Sequence, residues 1–79
     1  MIEFYNVKKN NTVISAEYEI EHSGSRGNVT VDLKSGSIID RKLTDYEKGT
    51  PRHTNMILRS LINISTKQHI PDQYYELWY

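Results

Sequence analysis

The stretch TVISAEYEIEH, residues 12–22, constrains the fold more than any other part of the chain. Its apolar and polar residues alternate, and a period of two is typical of a strand with one face buried and the other in water. The apolar segment IEFYNV precedes it across the turn signal KKNN, so residues 2–8 and 12–22 are predicted to form an antiparallel hairpin. The residues predicted on its core face are Ile14, Ala16, Tyr18 and Ile20.

A second hairpin is predicted after the loop SGSRG, residues 23–27, which holds two glycines and no apolar residue. The sequence NVTVDL alternates again, and the turn KSGS follows it, with Gly36 free to adopt positive φ. The returning segment is IIDRKLTD. Residues 28–34 and 37–44 are therefore predicted to pair as antiparallel strands.

The apolar period then changes from two to three or four, which predicts a helix over residues 51–67. Thr50 is the predicted N-cap, and Pro51 suits the first helical position, where its missing N–H costs nothing. Pro71 ends the region that can be helical. The strongly strand-forming sequence at residues 74–79 predicts a short final strand. The apolar stripe of the helix consists of Met56, Ile57, Leu58, Leu61, Ile62 and Ile64.

The predicted fold is a single α+β domain, residues 1–79, with the element order ββββαβ. Two β-hairpins and a short C-terminal strand form an antiparallel sheet, and one amphipathic helix packs on one face. A single helix covers only part of such a sheet. The other face must therefore meet water or a partner.

Composition excludes several kinds of site and partner. The chain has 79 residues and no cysteine, which removes disulfides, thiolate zinc sites and cysteine nucleophiles. Lys plus Arg and Asp plus Glu both number 10, without the basic excess usual in nucleic-acid modules. No apolar run approaches the ~20 residues of a membrane span, and no leader pattern opens the chain. We expect a cytoplasmic protein without a membrane partner.

The motif VDLKSGSII, the single predicted helix, and IP a few residues before the terminal WY resemble small uncharacterised proteins of Gram-positive bacteria. The resemblance covers the chain from about residue 27 onward. That group has no assigned activity, so the resemblance implies no functional role for any residue. It implies a bacterial cytoplasmic origin.

Three residue sets are candidate sites of chemistry. The Ser23–Gly27 loop, with Arg26, could hold a phosphate, but such loops normally adjoin helices and this one joins two strands. The histidines show no recognised ligand spacing, and the glutamates of residues 17–21 suit a solvated strand face. We therefore predict no catalytic residue, no metal and no cofactor. The three histidines are His22, His53 and His69.

The aromatic C-terminus gives the preferred functional hypothesis. Its alternation places Tyr75 and Tyr79 toward the core and turns Tyr74 and Trp78 outward. Outward Tyr and Trp are enriched at protein interfaces. We predict a non-enzymatic module that binds another protein, or itself as a homodimer, through the helix-free sheet face and this strand. The alternative is a weak single-stranded nucleic-acid binder that stacks bases on these rings beside Lys and Arg. The candidate interaction residues are Tyr74, Trp78, Arg26 and Arg41.

Overall fold

The computed structural model describes the backbone of residues 1–76 and the side chains of residues 1–74. It confirms a five-stranded antiparallel sheet with one helix, in the order ββββαβ. A short 3-10 helix, Asp45–Glu47, precedes the α-helix and was not predicted. The strands are β1 (Ile2–Asn10), β2 (Val13–Ile20), β3 (Arg26–Asp32), β4 (Ser37–Lys42) and β5 (Gln73–Glu76), and the helix is α1 (Thr54–Ser65).

The strands lie in the order β4-β3-β2-β1-β5. Both predicted hairpins are present, since β1 pairs with β2 and β3 pairs with β4, each antiparallel. The final strand pairs with β1, opposite to it in direction. The chain between β4 and β5, which includes α1, therefore connects the two edges of the sheet.

The core lies between one face of the sheet and α1, which packs on β2 and β3. The face predicted from the alternation in β2 is confirmed, because Ile14, Tyr18 and Ile20 have no exposed surface and Ala16 is buried. The helix contributes one side of its apolar stripe, at three- and four-residue spacing. Its fully buried apolar residues are Ile57, Leu61 and Ile64.

The predicted start of the helix is wrong. The helix begins at Thr54, with His53 as N-cap at φ 55°, and not after Thr50. The Arg52 N–H donates to Glu47 Oε2 (3.0 Å), and the Arg52 carbonyl accepts from Arg41 Nη2 (2.8 Å). Both backbone groups of Arg52 are therefore hydrogen-bonded to residues outside the helix, and the helix begins after them. The other end also differs, since the helix ends at Ser65 and not at residue 67.

The boundary predicted between loop and strand near residue 27 is also wrong, because β3 begins at Arg26. Gly27 lies opposite Tyr18, whose ring covers it. A Cβ at this position would lie 2.8 Å from Cε1 of Tyr18 and would overlap the carbonyl oxygen of Lys42. Glycine is needed here for close approach of a ring and a neighbouring strand, and not for a flexible loop.

Within residues 1–76, α1 is too short and too polar to cross a membrane, and the fold has no other α-helix.

Candidate functional site

The sheet face opposite α1 carries the side chains that alternate with the core residues. Because directly paired residues point to the same face, the strand register arranges them in rows across the sheet. Lys8 pairs with Ser15, Ser15 with Thr30, and Thr30 with Asp40. The chain thus sets an ammonium group and a carboxylate at the two ends of one row, with two hydroxyls between them.

A β-bulge on each side of this row curves the sheet. In β1, Asn6 and Val7 together lie opposite the single residue Ala16, and Asn6 adopts the left-handed conformation at φ 52°. Asparagine tolerates that conformation better than most residues. In β4, Ile39 is the extra residue between the pairs Thr30–Asp40 and Val31–Ile38. Bulges bend the bulged strand and are frequent beside functional sites.

The helix-free face has an open depression between the two bulges. The depression has a volume of about 370 Å³ and draws its lining from β1 to β4. That volume is at the low end of the ~300–1,000 Å³ typical of ligand sites. Most of its lining side chains are polar or charged, so it suits a hydrogen-bonding surface better than an apolar ligand. Its lining residues are Asn6, Lys8, Ser15, Ala16, Glu17, Asn28, Val29, Thr30 and Asp40.

In one half of this face the side chains contact one another. The guanidinium of Arg26 lies 3.7 Å above the centre of the Tyr5 ring, and Arg26 Nη1 donates to Glu17 Oε1 (3.3 Å). Arg26 Nε lies 3.6 Å from Glu19 Oε1. The Tyr5 hydroxyl donates to Glu3 Oε2 (2.5 Å). We call this the closed half, formed by Glu3, Tyr5, Glu17, Glu19 and Arg26.

Titration behaviour in the closed half follows from these contacts. Hydrogen bonds from Asn6 and then from Arg26 hold the pKa of the Glu17 carboxyl below its usual range. The hydrogen bond to Glu3 raises the pKa of Tyr5. His22, at the edge of this half, places Nδ1 2.6 Å from Glu3 Oε1. Glu3 Oε1 is buried and accepts no hydrogen bond, so the closed half is bonded internally except at this oxygen.

The other half of the face presents polar groups that no other part of the described chain engages. Within residues 1–76, its side chains make no hydrogen bond and no ion pair. Lys8, Asn28 and Asp40 are exposed, and the two hydroxyls between them are half-buried. These groups can bind a partner without first giving up an internal contact. We call this the open half, formed by Lys8, Ser15, Asn28, Thr30 and Asp40.

Of the three predicted interaction residues with described side chains, Arg26 alone lies on this face, and Arg41 does not. The Arg41 side chain is only 9% exposed and pairs with Glu47, which has no exposed surface. Arg41 Nη2 lies 2.6 Å from Glu47 Oε2, and Arg41 Nε donates to the Tyr18 hydroxyl (3.1 Å). Arg41 is thus held inside the molecule and does not supply a surface cation.

The carboxylate of Glu47 is the most heavily bonded group of the described chain. It accepts from the Tyr18 hydroxyl (2.5 Å), the Thr44 N–H (2.9 Å) and the Arg52 N–H (3.0 Å), besides Arg41. Burial alone would raise the pKa of Glu47, but hydrogen bonds from Tyr18, Thr44 and Arg52 and the charge of Arg41 outweigh it and lower the pKa. This network joins β2, β4 and the start of α1.

The outward orientation predicted for Tyr74 is wrong. Tyr74 pairs with the core residue Phe4, so both point to the helix side, and their ring centres are 6.4 Å apart. The ring of Tyr74 is partly buried against the core, and Lys67 Nζ lies 6.0 Å from its centre. Trp78 lies outside the described residues, as does Tyr79. The side chain of Tyr75 is also beyond what the structure describes.

The loop predicted as a possible anion site is hydrogen-bonded to other parts of the chain, as donor at Gly24 and as acceptor at Ser25. The Gly24 N–H donates to Glu19 Oε2 (3.1 Å), and the Ser25 hydroxyl accepts from the Asp45 N–H (2.8 Å). Arg26 points across the sheet to the closed half. Residues 1–76 contain no cluster of His, Asp and Glu that could hold a metal ion. The Ser23–Gly27 sequence therefore does not form a cradle of free N–H groups in this conformation.

Comparisons with protein-family models, with curated proteins and with solved structures find no match to this chain. The site must be interpreted from its own geometry.

Proposed function

We propose that this chain is a non-enzymatic, cytoplasmic interaction module that binds a protein through the helix-free face of its sheet and the C-terminal strand. The observation that carries the proposal is the open half, where a curved surface presents charged and polar groups with no internal partner. In the closed half, by contrast, Arg26 already contacts Tyr5, Glu17 and Glu19. Groups left unpaired in a concave surface are suited to binding from outside.

The two edges of the sheet differ in a way that favours β5 as the second contact region. The edge strand β4 carries a bulge and the charged sequence Asp40–Lys42, which are devices that protect an edge from pairing. The opposite edge, β5, is regular in its pairing with β1 and has the sequence QYYE. An aromatic edge strand without a bulge can accept a further strand.

A matched pair of substitutions tests the face. Asn28 is exposed in the open half, and Asn63 is exposed on α1 away from the sheet. The proposal predicts that Asn28→Arg removes partners from complexes captured with the intact chain, because a bulky cation fills the depression. Asn63→Arg makes the same chemical change on the other side and should retain them. Equal capture by both variants and by the unaltered chain would contradict the proposal.

The C-terminal contact needs a test of its own. Removing residues 77–79 leaves β5 and its pairing with β1 in place. We expect the shortened chain to remain folded by circular dichroism and to bind its partner more weakly. Unchanged affinity would restrict the interaction to the sheet face.

The nucleic-acid alternative receives less support. Of its expected groups, Tyr74 faces the core and Arg41 is paired inside the molecule. Stacking of bases requires exposed rings beside free cations. Titration of Trp fluorescence with a single-stranded oligonucleotide at low salt would still reveal it, and quenching there would favour this alternative.

A further inference from the structure

We propose that the open half binds the open half of a second copy of this chain, in a dimer with a two-fold axis. The inference rests on the proposed function, because it takes the helix-free face as the docking surface and identifies the partner. Its basis is the charge pattern of one row of paired residues.

The row has opposite charges at its ends and similar groups at its centre. Lys8 lies on β1 and Asp40 on β4, with Ser15 and Thr30 directly between them. The two ends are three strand intervals apart, or about 14 Å at ~4.8 Å per interval. Both end residues are exposed. Read from either end, the row has the order charge, hydroxyl, hydroxyl, opposite charge.

Such a row is complementary to itself. Consider a two-fold axis in the plane between two facing sheets, parallel to the strands and midway between β2 and β3. This operation places β1 of one copy over β4 of the other. Lys8 then faces Asp40 of the second copy, and the same ion pair forms again at the other end of the row. Ser15 faces Thr30 of the second copy, so the hydroxyls can exchange hydrogen bonds.

The neighbouring row fits the same operation. Glu17 pairs with Asn28, so the axis places the Glu17 carboxylate opposite the Asn28 amide of the second copy. A two-fold axis running along the row instead would place Lys8 against Lys8 of the second copy. Like charges directly opposite each other are destabilising. The charge pattern therefore selects one of the two simple ways in which the faces can meet.

The spacing of packed sheets is compatible with these contacts. Facing sheets lie ~10 Å apart and are rotated by ~30°. The long side chain of Lys8 can cross such a gap to a carboxylate and can accommodate the lateral displacement that the rotation causes. Two ion pairs and the hydroxyl contacts between them are few contacts for an interface, so we expect a weak dimer with Kd above about 1 μM.

Charge exchange between copies provides a sharp test. Lys8→Glu gives a chain with two acidic row ends, and Asp40→Lys gives a chain with two basic ends. Each variant should dimerise at least about tenfold more weakly than the unaltered chain, because both ion pairs become repulsive. Mixed in equal amounts, the two variants should form a heterodimer of near-original affinity, since every acidic end then meets a basic one.

Sedimentation equilibrium from about 10 μM to 1 mM measures these affinities across the weak-binding range. Lys34→Glu is the matched control, because it makes the same charge change in the turn between β3 and β4. The control should dimerise like the unaltered chain. Recovery in the mixture also shows that both variants are folded.

The inference is overturned if the unaltered chain stays monomeric throughout this range, if the variants dimerise as well as it does, or if the mixture does not recover. A monomeric chain that loses a different protein partner on Asn28→Arg would overturn the dimer alone and leave the proposed function standing. If the chain forms no dimer and Asn28→Arg removes no other protein partner, both the dimer and the proposed function are overturned.

Discussion

Glu47 shows how a single buried charge can organise the end of a core. Its carboxylate has no exposed surface, and its donors come from β2, β4 and the segment before α1. A buried ion pair does not by itself add stability, since both groups lose their hydration. Its hydrogen bonds instead specify where the chain turns after β4 and where the helix begins.

Loss of Arg41 is expected to be severe. Arg41→Leu leaves the Glu47 carboxylate buried without its cation, which typically costs about 3–5 kcal/mol of unfolding free energy. Lys42→Leu is the matched control, because Lys42 is the adjacent cation but is exposed. It should change stability by less than about 0.5 kcal/mol. Urea unfolding measures both, and equal effects would contradict the role assigned to Arg41.

Tyr18 makes stability depend on pH in the alkaline range. Burial, and then the hydrogen bond to Glu47, raise the pKa of Tyr18 from 10.0 to about 12. The unfolded chain therefore loses this proton first, so the contribution is complete below pH 10 and is lost as pH rises through 12.

Tyr18→Phe should be less stable than the unaltered chain at neutral pH, because Glu47 loses a donor. It should also lose less stability between about pH 9 and pH 11, because the perturbed hydroxyl is gone. Tyr46→Phe, at a ring that is 39% exposed, serves as the control and should retain the original pH profile. If all three chains lost the same unfolding free energy between about pH 9 and pH 11, this account of Tyr18 would be contradicted.

At the scale of elements, β5 is attached to the sheet through its backbone and through Tyr74. The Val7 N–H donates to the Asp72 carbonyl (3.2 Å), and the Tyr74 ring packs beside Phe4. Tyr74 is therefore part of the support for the C-terminal strand. Any docking by this strand depends on that support.

Tyr74→Ala should loosen β5 without unfolding the rest of the sheet. The expected result is faster hydrogen exchange at the β1 amides that face β5, with a stability loss of about 1–3 kcal/mol from the truncated ring. Gln73→Ala is the control, because Gln73 is exposed on the same strand. Exchange that stays slow at residues 2–5 would show that Tyr74 does not hold the strand.

The elements themselves were largely predictable from local pattern. Alternation in β2 identified the core face correctly, because a half-buried strand leaves that period in its sequence. The spacing of Phe4 and Val7, both buried but three residues apart, was the available signal for the bulge in β1. Alternation alone does not give the register between strands, so the row from Lys8 to Asp40 could not be predicted.

The buried network had a local signal as well. The sequence TDYE, residues 44–47, has the pattern of a capping box, in which a glutamate three residues after a threonine bonds back to the threonine N–H. That pattern would have located a helical turn at Asp45–Glu47. It could not have shown that the same carboxylate binds Arg41 and Tyr18, because those contacts depend on tertiary packing.

At the scale of the whole molecule, the sheet has two faces with different roles. One face forms the core with α1, and its buried charges are fully bonded. The other is curved by two bulges and divided into a closed half and an open half. The polar side chains of the open half make no hydrogen bond or ion pair within residues 1–76, which supports the proposal that a partner binds there.

Photo-crosslinking from a single position tests that claim most directly. A photoreactive side chain in place of Thr30 lies at the centre of the open half, and one in place of the exposed Arg59 lies on the outer surface of α1. On irradiation in host cells, the account predicts a discrete crosslinked protein, or a crosslinked pair of this chain, from position 30 and none from position 59. Equal crosslinking from the two positions, or crosslinking from position 59 alone, would contradict it.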